Sequence, residues 1–155
     1  MRHAFNRQTL VIMSLVCLLF AGCAGERPPS AQVHISASSD LNPDASGRPS
    51  PIVVKLFALR STDGFNNARF RELYENTADT LGIDLVNQVE FQVLPGQESD
   101  LDELTFGMEA RYIGLLAAFR DLDNAVWRTA VPLELGDTAE FAIVLDRLSV
   151  STRPQ

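Results

Sequence analysis

The sequence predicts an all-β protein with short helical additions, folded as an antiparallel β-sandwich. Three observations carry that expectation. Some six apolar or alternating segments recur along the chain, separated by clusters of Pro, Gly, Asn and Asp. Stretches with helical period are brief and fall between the strands. The β-α-β alternation that builds a doubly wound parallel sheet is missing.

The elements follow in order. Val33-His34-Ile35-Ser36-Ala37-Ser38 alternates apolar and polar residues, the signature of a strand with one buried face. Residues 40–51 carry Pro43, Gly47, Pro49 and Pro51 among Asp, Asn and Ser, and read as a loop. Residues 52–59 are dense in branched apolar side chains, a strand buried on both faces. Phe70, Leu73 and Tyr74 then sit at helical spacing behind Asn66 and Asn67 as candidate caps. A second short turn over residues 77–81 closes at Gly82.

Val89, Phe91 and Val93 alternate with Glu90 and Gln92 in a strand that should bury one face and end at the Pro95-Gly96 turn. Residues 97–105 read as acidic and irregular. Residues 112–119 form an apolar run too dense for a solvent-facing strand. Residues 126–135 hold Trp127, and Pro132 confines their second half to a sheet edge. Phe141, Ile143 and Leu145 mark a final strand that Leu148 and Val150 should continue. Phe57, Phe91, Phe119, Trp127 and Phe141 are expected in the core.

The first 23 residues form a separate unit. Arg2 and Arg7 precede residues 10–20, which are apolar apart from Ser14, and Ala21-Gly22 sit directly before Cys23. This is the layout of a secretory signal with its cleavage point set against a cysteine, as in bacterial lipoproteins. Phe20 stands where such signals usually hold Leu. The apolar run is too short for a bilayer, which needs roughly 20 residues. Residues 1–22 are therefore expected to be removed, and Cys23 to carry a diacylglyceryl thioether. Residues 23–32 then form a lipidated tether, and 33–155 the folded domain. Ala24, next to Cys23, suits sorting to the outer membrane, because Asp there retains enterobacterial lipoproteins in the inner one.

Signal removal leaves 133 of the 155 residues, enough for one domain. With Arg2 and Arg7 lost, 11 of the 13 basic residues remain against 20 acidic ones, a net charge near −9. That balance argues against nucleic acid and against electrostatic attachment to anionic lipid. Two acyl chains on Cys23 would hold the protein to a membrane where one would bind marginally.

No catalytic constellation emerges. Cys17 and His3 leave with the signal, so His34 is the only histidine and Cys23 the only, acylated, cysteine. Nucleophilic triads and Cys/His zinc sites lack their parts. His34 lies on the polar phase of its strand and reads as a surface residue. Asp100, Asp102 and Glu103, like Asp121 and Asp123, read as solvated turn carboxylates. The spacing of Asp40, Asn42, Asp44 and Ser46 is reminiscent of a calcium loop, but Ala45 and Pro51 occupy the places that need Gly and Glu.

Leu41-Asn42-Pro43-Asp44, then Gly47-Arg48-Pro49-Ser50-Pro51, then Ile52-Val53-Val54-Lys55-Leu56-Phe57-Ala58-Leu59 form a recognisable block. With Ala110-Arg111-Tyr112-Ile113-Gly114-Leu115-Leu116-Ala117-Ala118-Phe119-Arg120-Asp121 and Trp127-Arg128, the chain resembles the TssJ family (SciN, VasD), outer-membrane lipoproteins of type VI secretion systems. The resemblance implies a transthyretin-like sandwich, no enzymatic activity, and no cofactor beyond the lipid on Cys23. It also implies binding to the periplasmic C-terminal domain of a TssM-like inner-membrane protein. The contact element would be the loop at 40–51, with Asp40, Leu41, Asn42, Pro43, Asp44, Gly47 and Arg48 as partner-binding residues. Leu41 is then the expected apolar anchor at the loop tip, and Arg48 the polar one. The alternative is a lipid-anchored module that binds a carbohydrate or other small ligand, a common use of a sandwich.

Overall fold

The computed structural model describes residues 27–155. The signal segment, Cys23 and the first part of the tether lie outside the described residues. Eight strands form two four-stranded sheets, with β1 at Ser30–Ala37, β2 at Ile52–Leu59, β3 at Leu85–Val93 and β4 at Glu98–Thr105. The rest are β5 at Tyr112–Ala117, β6 at Arg128–Pro132, β7 at Thr138–Asp146 and β8 at Ser149–Pro154. One sheet runs β4-β1-β7-β8 and the other β3-β2-β5-β6. Pairing within the sheets is antiparallel except between β1 and β7, which run parallel from Ser30 beside Thr138 to Ala37 beside Leu145.

The strands form where side-chain phase allows a dry interface. Val33, Ile35, Phe141, Ile143 and Leu145 on one sheet face Ile52, Val54, Leu56, Ile113 and Leu115 on the other, all buried. The two inner strands of the second sheet bury their opposite face as well. There Phe57, Leu59 and Leu116 lie beneath Phe65, Leu73 and Leu81, from α1 (Asp63–Asn67), α2 (Phe70–Glu75) and α3 (Thr77–Leu81). This double burial explains why β2 and β5 read as unbroken apolar runs. Gly114 sits at the tightest point, where an added Cβ would lie 3.0 Å from Leu59 and 3.1 Å from Phe65.

Several sequence expectations need correction. β1 opens at Ser30 rather than Val33, so residues 30–32, read as tether, are the first rungs of the sheet. Helix starts one element earlier, at Asp63, and Asn66 and Asn67 are its last turn rather than caps. The N-terminal device of α2 is the Glu72 carboxylate, which accepts the Arg69 N–H at 2.8 Å. Residues 98–105 are a strand, not an irregular segment. A bulge opposite Ala31 and Val33 lets Leu101 and Leu104, three apart, both pack against the core. The chain also turns at Arg147-Leu148, so Val150 belongs to a returning hairpin strand and does not continue β7. Val89 and Phe91 keep the expected phase but are only half-buried, because β3 is an edge.

The registers give the sandwich two distinct poles. β1 begins beside the end of β4 and the start of β7, and β2 ends beside the starts of β3 and β5. The tether therefore leaves from the pole that carries the helices' entry, the β4–β5 loop and the β6–β7 turn. The β1–β2 loop, the β3–β4 and β7–β8 turns and the β5–β6 loop crown the opposite pole. β1 has eight residues, and at about 3.3 Å each these hold the poles roughly 26 Å apart.

Candidate functional site

The loop at 40–51 is folded onto the end of the sandwich by its own short-range bonds. Leu41 is 0% exposed and plugs the core between the sheets. It is therefore not the apolar tip that the sequence suggested. Its backbone bonds hold the loop closed, with its N–H to the Ser38 carbonyl at 3.2 Å and its carbonyl to the Ser50 N–H at 3.0 Å.

Asn42 is likewise buried, at 2% exposure, and adopts a left-handed φ of 49°. It joins three segments. Its N–H donates to the Arg147 carbonyl at 3.0 Å and its amide nitrogen to the Pro51 carbonyl at 2.9 Å. Its amide oxygen accepts the Arg120 N–H at 2.8 Å. Asn tolerates the left-handed region better than other side-chain-bearing residues, and its two-ended amide satisfies both neighbours.

Asp44 organises the outer half. One carboxylate oxygen accepts the N–H groups of Ser46 at 2.8 Å and Arg48 at 3.0 Å. The other takes the Arg48 guanidinium, through both Nε and Nη2, at 2.8 Å. These donors, the Arg48 N–H foremost and the guanidinium next, hold the Asp44 carboxyl below the usual carboxylate range. Asp40 is lowered as well, first by the Ser38 hydroxyl, then by its own backbone N–H, and further by Arg147, whose guanidinium is 3.7 Å away. Gly47 supplies a φ of 75° that the turn back to Asp44 requires. Pro43 and Asp44 are half-buried, while Asp40, Ala45, Ser46, Gly47, Arg48 and Pro49 are exposed.

The fold adds two residues that sequence reasoning missed. Arg120 from the β5–β6 loop and Arg147 from the β7–β8 turn join Pro43 and Asp44 around a cleft of about 460 Å³. They lie 72 and 99 positions beyond Arg48, and no local sequence signal connects them. The long-range bonds of Asn42 to both segments do so, with the Asp40–Arg147 pair beside them. The cleft pairs guanidinium and carboxylate groups in a shallow setting, which suits recognition of another protein surface.

His34 lies elsewhere, on the outer face of β1. Its Nδ1 is 2.7 Å from Asp100 and its Nε2 2.9 Å from Glu98. Both acceptors are carboxylates, so both ring nitrogens donate only when the imidazole is charged. These bonds, the one to Asp100 first, raise its pKa. Asp100 is thus a strand residue tied to His34 rather than a turn carboxylate, whereas Asp121 keeps to its own turn, bonded by Asn124 at 3.0 Å. Among the described residues no His, Cys, Asp and Glu group is arranged to hold a metal, and no helix is long and apolar enough to cross a membrane.

The described residues define a small β-sandwich domain in which a hydrogen-bonded loop closes the pole opposite the start of β1. Residues 29–148 match the family described as type VI secretion lipoprotein (VasD, EvfM, TssJ), and the chain belongs to that family. It is similar to the type VI secretion lipoprotein TssJ1 from Pseudomonas aeruginosa, with 33% identity, 83% of this chain and 97% of that chain covered, and a TM-score of 0.79. It is also similar to Lip of Serratia marcescens, a membrane-bound component of the type VI secretion system. There the identity is 28%, the coverage 83% and 98%, and the TM-score 0.75. A chain of a type VI membrane complex shares the fold, with 23% identity, 81% and 98% covered, and a TM-score of 0.71. No curated protein sequence matches. Family membership makes this a non-enzymatic, membrane-bound lipoprotein of the type VI secretion system, anchored at the outer membrane.

Proposed function

We propose that the protein fixes the periplasmic C-terminal domain of a TssM-like inner-membrane protein to the outer membrane. Acyl chains on Cys23 hold one end, and the pole built on residues 40–51 holds the other. The observation that carries this reading is the opposition of the poles: the loop points away from the point where the tether leaves. A surface facing away from its own anchor faces the periplasm and what crosses it.

The contact residues are the exposed ones, Arg48 with Gly47, Asp40 and Ala45. Leu41 and Asn42 act by holding the loop in shape. A loop already pinned by Asp44 and Asn42 loses little entropy on docking, which favours affinity. Arg48 presents a guanidinium already oriented by Asp44, and Asp40 at the rim would tune association rate and salt sensitivity.

Titration of a purified TssM-like periplasmic domain against the protein tests the reading. Replacing residues 45–49 with a Gly/Ser segment spares Leu41, Asn42 and Asp44, so the sandwich should stay folded. Affinity should fall tenfold or more, about 1.4 kcal/mol. An unchanged affinity in the folded variant would remove the loop from the interface.

A further inference from the structure

Five large apolar side chains stand exposed among the described residues, and three of them crowd the tether pole. Ile83 is 82% exposed, Met108 39% and Leu135 37%. They come from three different connections: the short helical turn before β3, the β4–β5 loop and the β6–β7 turn.

These connections form one continuous rim. Arg60 donates to the Ile83 carbonyl and reaches the Glu109 carboxylate at 3.4 Å, which joins the first connection to the second. Arg111 donates to the Met108 carbonyl at 2.8 Å, while its own carbonyl accepts the Leu133 N–H at 2.7 Å, which joins the second to the third. The tether leaves between them: the Phe106 N–H donates to the Pro29 carbonyl at 3.0 Å, and the Ser30 N–H to the Asp137 carbonyl at 3.3 Å. The other two exposed apolar residues, Leu94 and Val126, lie toward the opposite pole on separate connections.

We propose that this rim rests on the lipid surface, with Ile83, Met108 and Leu135 inserted at the boundary between headgroups and acyl chains. The inference depends on the reading of Cys23 as the lipid anchor. Cys23 precedes Ser30 by seven residues, a reach of at most about 25 Å. Whatever course those residues take, the rim is confined close to the bilayer. Confinement turns a weak apolar contact into an intramolecular one with a high effective concentration. Glu109, Glu134 and Asp137 neighbour the exposed apolar residues in sequence, and Arg60 in the rim is paired with Glu109 at 3.4 Å, so the attraction is apolar rather than electrostatic and does not require anionic lipid. Contact through three loops would also orient the sandwich, and so aim the opposite pole along the membrane normal.

The test uses the mature acylated protein, beginning at Cys23, in vesicles of phosphatidylethanolamine and phosphatidylglycerol. Ile83→Cys, Met108→Cys and Leu135→Cys each carry an environment-sensitive fluorophore, and Leu94→Cys serves as the control. A thioether leaves no free thiol at Cys23, so each label goes to one place. The inference expects the three labels to be quenched by nitroxide lipids and severalfold less by aqueous iodide than the label at position 94. Protein that floats with the vesicles while all four labels meet iodide equally would overturn the inference and leave the anchor standing. Failure to float would contradict the anchor reading itself, and this inference with it. Backbone hydrogen exchange of the unsubstituted protein gives an independent reading. Residues 82–84 and 107–109 should exchange more slowly in vesicles than in detergent, and equal rates would count against membrane contact.

Discussion

Asn42 gives the most exacting test of how the loop pole is built. Asn42→Ala removes the amide that caps the Pro51 carbonyl and the Arg120 N–H, bonds of 2.9 and 2.8 Å. Each orphaned backbone group costs about 1–3 kcal/mol when buried; both sites are only partly buried, so the lower end, about 1 kcal/mol each, applies. Alanine must also hold the φ of 49°, which adds about 1 kcal/mol. The sum is about 3 kcal/mol. Asn42→Gly avoids the strain while losing the same bonds, so it should cost about 1 kcal/mol less than Asn42→Ala. Urea denaturation of the purified protein followed by circular dichroism measures both differences. A loss below about 0.5 kcal/mol for Asn42→Ala, the level of an ordinary surface change, would refute the assignment of Asn42 as the keystone. Equal losses for Ala and Gly would refute the backbone part of the reasoning.

Three further outcomes follow from the same geometry. Gly114→Ala should destabilise the fold by about 1–3 kcal/mol, because the new methyl meets Leu59 and Phe65 at 3.0–3.1 Å; thermal unfolding would show it. Phe65→Ala, which empties the fully buried site beneath the helices, should cost about 3–5 kcal/mol, while Phe91→Ala on the half-buried edge should cost clearly less. The raised pKa of His34 predicts that its stabilisation of the β1–β4 pairing is full below the ordinary value of 6.5 and fades as pH rises through the higher folded value. His34→Gln should flatten that part of the melting-temperature profile against pH. Asp40 and Asp44 act with the opposite sign: their lowered values give stability above 3.8 that is lost as pH falls further.

Much of this fold was legible because local chemistry and final environment agree. The unbroken apolar runs of β2 and β5 announced burial on both faces, and the sandwich with its helical cover supplies both. The alternation in β1 and β3 fixed their inner phase, although it could not tell a central strand from an edge, which is why Phe91 is less buried than its phase suggested. β4 was hidden by the bulge that breaks its period and by Asp100, Asp102 and Glu103, whose charges blunt an exposed edge. The parallel pairing of β1 with β7 joins residues more than a hundred positions apart and leaves no local mark. At the loop, Pro43, Gly47 and Pro49 marked residues 40–51 as a turn-rich connection, and the structure has them as one. Leu41 looked like an exposed anchor because a lone apolar residue among polar ones gives no sign of which way the chain will fold it. Burial of Leu41 and Asn42 leaves Arg48 and its neighbours as the exposed part of the loop, and only the tertiary structure sets Arg120 and Arg147 beside Pro43 and Asp44.

In the proposed function one pole is held at the membrane and the opposite pole at a partner. Site-specific photo-crosslinking in intact envelopes addresses both at once, with the reactive side chain placed at Ala45 or Arg48 on the loop and at Glu134 beside the tether. The loop positions should capture a TssM-like protein while position 134 captures none of it. Capture of that partner at position 134, with none from the loop, would contradict the proposed function.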